Sequence, residues 1–283
     1  MHIRALCVLT FTFVSAVSLT PALKAQVVVT SYVETGSLAR NDDDHSGDYN
    51  RDGLGNPQGE NLGFSISLGG ATYTRTFVSN NGYVTFGAGS GQYWPEPLDA
   101  NYVENGSPGL PIIAPFFSDV DTRDSQSGVV SWGTALVDGH AAFVVKWPSV
   151  GEFGAEEFSP NTFSLIMVSR SDLGPGDFDV YFHYETITWD NENAVAGFHN
   201  GSTTNPGFYQ VPGSQVEGAF FDGGANSLAA ASNTGVAGGI LLQARGGDFL
   251  APAAIVAIPE PSTWALLGLG AAGLGLAARR RNC

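Results

Sequence analysis

Short runs in which apolar and polar residues alternate constrain the fold of this chain more than any other feature. Alternation with a period of two places the apolar side chains on one face of a strand. Such runs occupy residues 64–68, 76–79, 83–86, 129–132, 141–147, 162–169, 178–184, 194–198 and 239–244. Glycine-containing turns separate them, as at Asn80-Asn81-Gly82 and Asp138-Gly139. The pattern predicts an all-β fold, an antiparallel β-sandwich with short loops, and one helical segment at 226–232.

The N-terminus has the features of a secretory signal peptide. Arg4 supplies a positive charge, an apolar stretch follows at 5–19, and Pro21 interrupts it. We expect residues 1–25 to be removed by cleavage after Ala25, although Lys24 is unusual so close to a cleavage site. The chain is therefore predicted to leave the cytoplasm.

The C-terminus carries a second targeting pattern. Pro259, Glu260 and Pro261 precede an apolar stretch at 263–278, which ends at Arg279, Arg280 and Arg281. Arginines beside an apolar segment stay on the cytoplasmic side of a membrane.

In this order, the three parts resemble the PEP-CTERM sorting signal of Gram-negative bacteria that produce exopolysaccharide. The resemblance implies processing by an exosortase, transient anchoring of 259–283 as a transmembrane sorting helix, and release to the cell surface or matrix. The alternative interpretation of this segment is an ordinary C-terminal membrane anchor. Residues 251–258 are interpreted as a linker that leads to the sorting signal.

Between the two targeting segments the chain has no cysteine and is strongly acidic. The two cysteines are Cys7 and Cys283, so no disulfide forms within residues 26–258. That segment has seven Lys and Arg against 26 Asp and Glu, a formal net charge of −19. Such a surface disfavours nucleic acid and suits divalent cations or a neutral or cationic glycan, although solubility alone also explains it.

Several ordered blocks in the middle of the chain resemble one extracellular domain. The block 113–123 reads IAPFFSDVDTR, residues 178–189 read FDVYFHYETITW, and 196–201 read AGFHNG. Together with 79–86 and 39–43, they resemble the nidogen-like domain over about 40–245, and they depart from its usual pattern at 189–193. The resemblance implies one domain at 26–250 and a role in matrix and adhesion, and it does not imply a known catalytic centre.

One loop has the spacing of a calcium site. Asp48, Asn50 and Asp52 alternate before Gly53, as in the first half of a calcium-binding loop. The acidic residue that should close the loop is Glu60, one position late, and Pro57 lies inside the loop. The sequence therefore predicts a loose Ca²⁺ loop or a solvated acidic turn.

A second acidic cluster is interpreted mainly as a structural network. Asp119 and Asp121 share a strand face, with Asp124 close by, and Arg123 can neutralise them. A metal site and catalytic acids are the alternatives.

Other candidate sites are weaker. The pair Glu156-Glu157 lies in a glycine-rich loop, which gives little support to a glycoside hydrolase. A zinc site would need His183, Glu185 and His199 to converge, whereas ordinary strand and turn histidines explain them more simply. His45 and His140 are likewise interpreted as ordinary strand-surface or turn histidines.

Two aromatic pairs lie in predicted loops. Tyr93-Trp94 and Phe208-Tyr209 are candidates for stacking on sugars or for capping the ends of the sandwich. The sequence therefore predicts a secreted, non-catalytic surface protein that associates with exopolysaccharide or a matrix protein. A secreted polysaccharide hydrolase and a self-assembling surface protein are the alternatives.

Overall fold

The computed structural model of the chain describes residues 29–104, 107–155, 157–190, 193–204 and 207–258. The predicted signal peptide 1–25, with its cleavage site at Ala25, lies outside the described residues. The same holds for the sorting segment 259–283, with Pro259, Glu260, Pro261 and Arg279 to Arg281. Among the described residues, no helix is long and apolar enough to cross a membrane.

Nearly all regular structure in the described residues is β, as predicted. In chain order the elements are β1 (Val29–Ser37), α1 (Ser46–Tyr49), β2 (Glu60–Leu68), β3 (Ala71–Val78), β4 (Val84–Thr85), β5 (Val103–Glu104), β6 (Ser107–Pro108), β7 (Ile112–Phe117), β8 (Val120–Asp121), β9 (Ser131–Val137), β10 (His140–Glu152), β11 (Asn161–Ser169), β12 (Phe178–Thr186), β13 (Val195–His199), β14 (Phe208–Gln210), β15 (Ala231–Ser232), β16 (Gly239–Arg245), β17 (Asp248–Phe249) and β18 (Val256–Ala257).

Two sheets form the sandwich. The large sheet has the order β1-β9-β10-β11-β12-β16-β15-β18, with β8 paired to β10 and β17 paired to β16. The small sheet has the order β14-β13-β7-β4-β3-β2, and β5 pairs only with β6. All pairings are antiparallel except β15 with β16. The prediction of an antiparallel β-sandwich is thus confirmed for the described residues.

Aromatic side chains fill the space between the sheets. Trp147 stacks on Phe163 with ring centroids 5.1 Å apart, and Phe116 of the small sheet contacts Phe163 and Trp189 at 5.4 and 5.2 Å. The hydroxyl of Tyr184 donates to the carbonyl of Pro115 at 2.7 Å, which joins β12 to β7. Burial of each such ring contributes about 2–3 kcal/mol, so the core requires no disulfide.

The helix predicted at 226–232 is wrong. Residues 226–230 form turns, and the chain then enters β15. Leu228 is fully buried and its amide donates to the carbonyl of Phe220, so packing against the core sets the backbone here. The described helix is instead α1, which His45 caps through its side chain.

Candidate functional site

The first candidate site lies where residues 40–45 cross the end of the sandwich. The amide of Asn80 donates to the carbonyl of Asp44, and the amide of Thr122 donates to the carbonyl of Asn41, both at 3.0 Å. The hydroxyl of Thr122 also exchanges hydrogen bonds with the backbone of Asn41. These bonds hold the loop after β1 against the turn after β3 and the segment around β8.

The turn Asn80-Asn81-Gly82 shapes this junction. Gly82 has φ of +78°, and a Cβ there would lie 1.7 Å from the carbonyl oxygen of Phe116, so glycine is required. Asn81 is fully buried; its side chain donates to Asp43 Oδ1 at 3.0 Å and accepts from the amide of Val120 at 2.9 Å. The turn therefore connects both acidic segments.

Three carboxylates meet beside this turn. Oxygen atoms of Asp42, Asp43 and Asp119 all lie within 4.8 Å of one another, the one group of this kind among the described residues. Burial, together with the charges of Asp43 and Asp121, raises the pKa of Asp42 to about 6. The guanidinium of Arg123 opposes this only in part.

The predicted network between Asp121 and Arg123 is present. Arg123 binds both carboxylate oxygens of Asp121, at 2.7 to 3.1 Å, and reaches Asp42 at 3.0 Å. Asp119 instead faces Asp42 and Asp43, while Asp124 accepts from the amide of Gln126 in its own turn. Asp119 thus belongs to an acidic cluster, as predicted, but its partners are Asp42 and Asp43 rather than Asp121 and Asp124.

The residues of the predicted calcium loop face several different partners. Asp48 caps α1 and lies near His45 and Arg51, at 3.7 and 3.6 Å. Asp52 accepts from the amides of Leu54 and Asn56 and from the side chain of Asn56, which lowers the pKa of Asp52.

The remaining two positions of that loop pair with each other. The side chain of Asn50 donates to Glu60 at 3.3 Å, and the indole of Trp132 donates to the other oxygen of Glu60 at 3.2 Å. Among the described residues, Asp48, Asp52 and Glu60 do not form a group of acids within 4.8 Å. Calcium binding by this loop stays a prediction.

The histidines are distributed over different parts of the fold. His183 is half-buried on the outer face of β12, and His199 is buried on β13, where burial lowers its pKa. His140 lies 3.8 Å from Asp172. Within the described residues, His183, Glu185 and His199 do not gather into a group with metal-ligand spacing. Glu156 lies outside the described residues, and Glu157 is exposed.

The aromatic candidates divide into two kinds. Tyr93 and Trp94 are about half exposed, and Phe208 is also exposed. Tyr209 instead packs against the core beside Phe198. Only part of this set is therefore available to a ligand.

A second candidate site, which sequence reasoning missed, is a groove on the outer face of the large sheet. It has a volume of about 330 Å³. Its apolar part includes Val144 and Ile166, which belong to a separate apolar cluster on this face, and the half-buried rings of Tyr32 and Tyr181. An aromatic and aliphatic lining of this kind is typical of ligand-binding clefts.

Polar side chains cross this groove in one row. Strand register aligns the side chains of Ser131, Lys146, Ser164 and His183 across the neighbouring strands β9, β10, β11 and β12, and the last three of these residues line the groove. The ammonium of Lys146 lies 3.8 Å from the centre of the Tyr32 ring, and no carboxylate pairs with it within the part of the chain that the structure describes. The groove thus combines rings, hydroxyls and one cation.

Comparison with known proteins defines the class. The nidogen-like domain matches residues 74–243, more than half of the chain, and the PEP-CTERM protein-sorting motif matches residues 257–281. This protein belongs to the nidogen-like domain family. The sorting motif implies export, processing by an exosortase and sorting to the cell surface.

Curated relatives share only this part of their length. The chain is similar to alpha-tectorin of Homo sapiens, with 25% identity over 189 residues, and of Mus musculus, with 26% over 194 residues. Each match covers 55% of this chain and 8% of the relative, so the chain spans under a tenth of their length. No solved structure matches the chain. The matched domains are non-enzymatic extracellular modules.

Proposed function

We propose that this exosortase-sorted protein is a non-catalytic adhesive component of the cell surface that binds exopolysaccharide. The groove on the large sheet is the observation that carries the proposal. Family membership supports an extracellular setting, and the sorting motif supports delivery to the surface.

The chemistry of the groove fits a polysaccharide chain. The faces of sugar rings are apolar and stack on aromatic side chains such as Tyr32 and Tyr181, while sugar hydroxyls need hydrogen-bond partners. Lys146, Ser164 and His183 supply such partners in a row across the strands. A row of this length suits an extended chain better than a single sugar.

Retention of the purified exported protein on exopolysaccharide from the producing organism tests the proposal. Tyr181→Ala and Lys146→Ala should each weaken binding by about tenfold, the effect of losing roughly 1.4 kcal/mol. Trp94→Ala is the matched control, because it removes an exposed ring that does not line the groove. Circular dichroism should show that the variants remain folded.

Other outcomes would assign a different function. Binding that Trp94→Ala abolishes, and that Tyr181→Ala leaves intact, would place the ligand at the loop instead. Shortening of the glycan would indicate a polysaccharide hydrolase. Concentration-dependent association without glycan binding would indicate a self-assembling surface protein.

A further inference from the structure

The acidic junction at the end of the sandwich holds the carboxylates of Asp42, Asp43, Asp119 and Asp121, and Arg123 forms ion pairs with two of them, Asp42 and Asp121. Arg123 donates three side-chain hydrogen bonds to Asp121 and makes one ion-pair contact with Asp42. Asp43 and Asp119 lie beside Asp42 in the same small space. Partly buried carboxylates this close repel one another unless a proton or a cation is present.

A buried amide lies against the backbone of Asp42 and of Val120, the residue after Asp119. Asn80 is fully buried, and its side-chain nitrogen contacts the carbonyls of Asp42 and Val120. Its side-chain oxygen is buried and has no hydrogen-bond partner among the described residues, as is also true of Asp42 Oδ1. Leaving such an acceptor unsatisfied costs about 1–3 kcal/mol, so a native structure normally supplies a partner.

We propose that Asp42, Asp43 and Asp119, with the side-chain oxygen of Asn80, form a calcium site that ties residues 40–45 to the β7–β8 junction. The donors are all oxygen atoms, which are the ligands that Ca²⁺ takes in sets of about six to eight. The cluster contains no histidine or thiol among the described residues, which disfavours zinc. The site is independent of the glycan groove, and it differs from the predicted loop at 48–60.

Thermal unfolding of the purified exported protein, with about 1 mM calcium chloride or with EDTA, tests this proposal. Calcium should raise the melting temperature by about 5 °C, as expected for a ligand present well above its dissociation constant. Titration calorimetry with calcium chloride should give one site per chain. No glycan is present, so failure here leaves the glycan proposal untouched.

Substitutions decide which acids bind the ion. Asp42→Asn and Asp119→Asn should each abolish the calcium-dependent shift. Without calcium, Asp42→Asn should melt no lower than the wild type, because it removes a repelled charge. Asp42 is only half-buried, so the Asp42→Asn variant is expected to fold and to give a result even if Asp119→Asn does not fold.

The matched control is Asp52→Asn, which removes one carboxylate from the predicted loop and should keep the shift. A shift lost in Asp52→Asn but kept in Asp42→Asn would move the ion to residues 48–60 and overturn the proposal. So would a wild type whose melting temperature is the same in calcium and in EDTA.

Discussion

Asp190 should make the protein more stable at mildly acidic pH than at neutral pH. Its side chain is fully buried after β12, and its carboxylate accepts hydrogen bonds from the amides of Ala194 and Phe220, at 3.1 and 2.9 Å. Burial, which the two amide hydrogen bonds offset only partly, raises the pKa of Asp190 from 3.8 to about 6. No arginine or lysine pairs with it among the described residues.

The sign follows from proton binding. Between pH 3.8 and about 6 the folded protein holds the Asp190 proton more tightly than the unfolded chain does. Folding stability therefore falls as the pH rises through this window, and the full penalty is present above pH 6. A shift of about two pKa units corresponds to at most about 3 kcal/mol, and to about 2 kcal/mol once solvent screening is allowed for.

Urea denaturation in EDTA at several values between pH 4.5 and pH 7 measures this effect. The wild type should gain about 2 kcal/mol from this group as the pH falls, and Asp190→Asn should lose that gain, because its amide does not titrate. The difference in pH dependence is the readout, since the amide also changes the local hydrogen bonds.

The control for this experiment is Glu157→Gln, which removes one exposed carboxylate and should keep the wild-type pH dependence. All other titrating groups are common to the wild type and the variants. A curve for Asp190→Asn that runs parallel to the wild type over this range would refute the reasoning.

Two further predictions concern the sandwich itself. Tyr184→Phe should lower the free energy of unfolding by about 1–2 kcal/mol in urea denaturation, because it leaves a buried carbonyl of the opposite sheet without its donor. Tyr181→Phe, on the outer face of the same strand, should change it by less than about 0.5 kcal/mol. Gly82→Ala should prevent stable folding, measured as loss of the cooperative thermal transition, because the new Cβ meets a backbone oxygen at 1.7 Å. Gly55 also has a positive φ, +84°, but a Cβ there would meet open space, so Gly55→Ala should lower the free energy of unfolding by only about 1 kcal/mol.

The sequence was sufficient for the long strands because their patterns are local. The alternation at 64–68 lies within β2, and the Asp138-Gly139 turn joins β9 to β10 as predicted. The short strands after residue 207 and the single helical turn α1 carry no such pattern. Pairing between segments that are distant in sequence fixes some of them, as when Val256 of β18 pairs with Ser232 of β15.

The acidic junction was only partly predictable for a similar reason. Asp119 was singled out from its neighbours in sequence, whereas Asp42 and Asp43 reach it only because the loop after β1 crosses the end of the sandwich. The consecutive acids from Asp42 to Asp44, together with the buried Asn80-Asn81 turn, were the available signal. The spacing typical of a contiguous calcium loop instead predicted Asp48 and Asp52 as calcium ligands.

The sequence contains an indication of the groove, which the search for alternating apolar and polar residues does not detect. Residues 141–145 and 165–168 are apolar without interruption, so both faces of β10 and β11 carry apolar side chains. An antiparallel sheet with one solvated face should be polar on that face. Lys146 and Ser164 interrupt the outer face in register, which a face that packs against another sheet would not tolerate. An apolar surface that is crossed by aligned polar groups suits an amphipathic chain, and this combination is the reason why we propose a polysaccharide as the ligand.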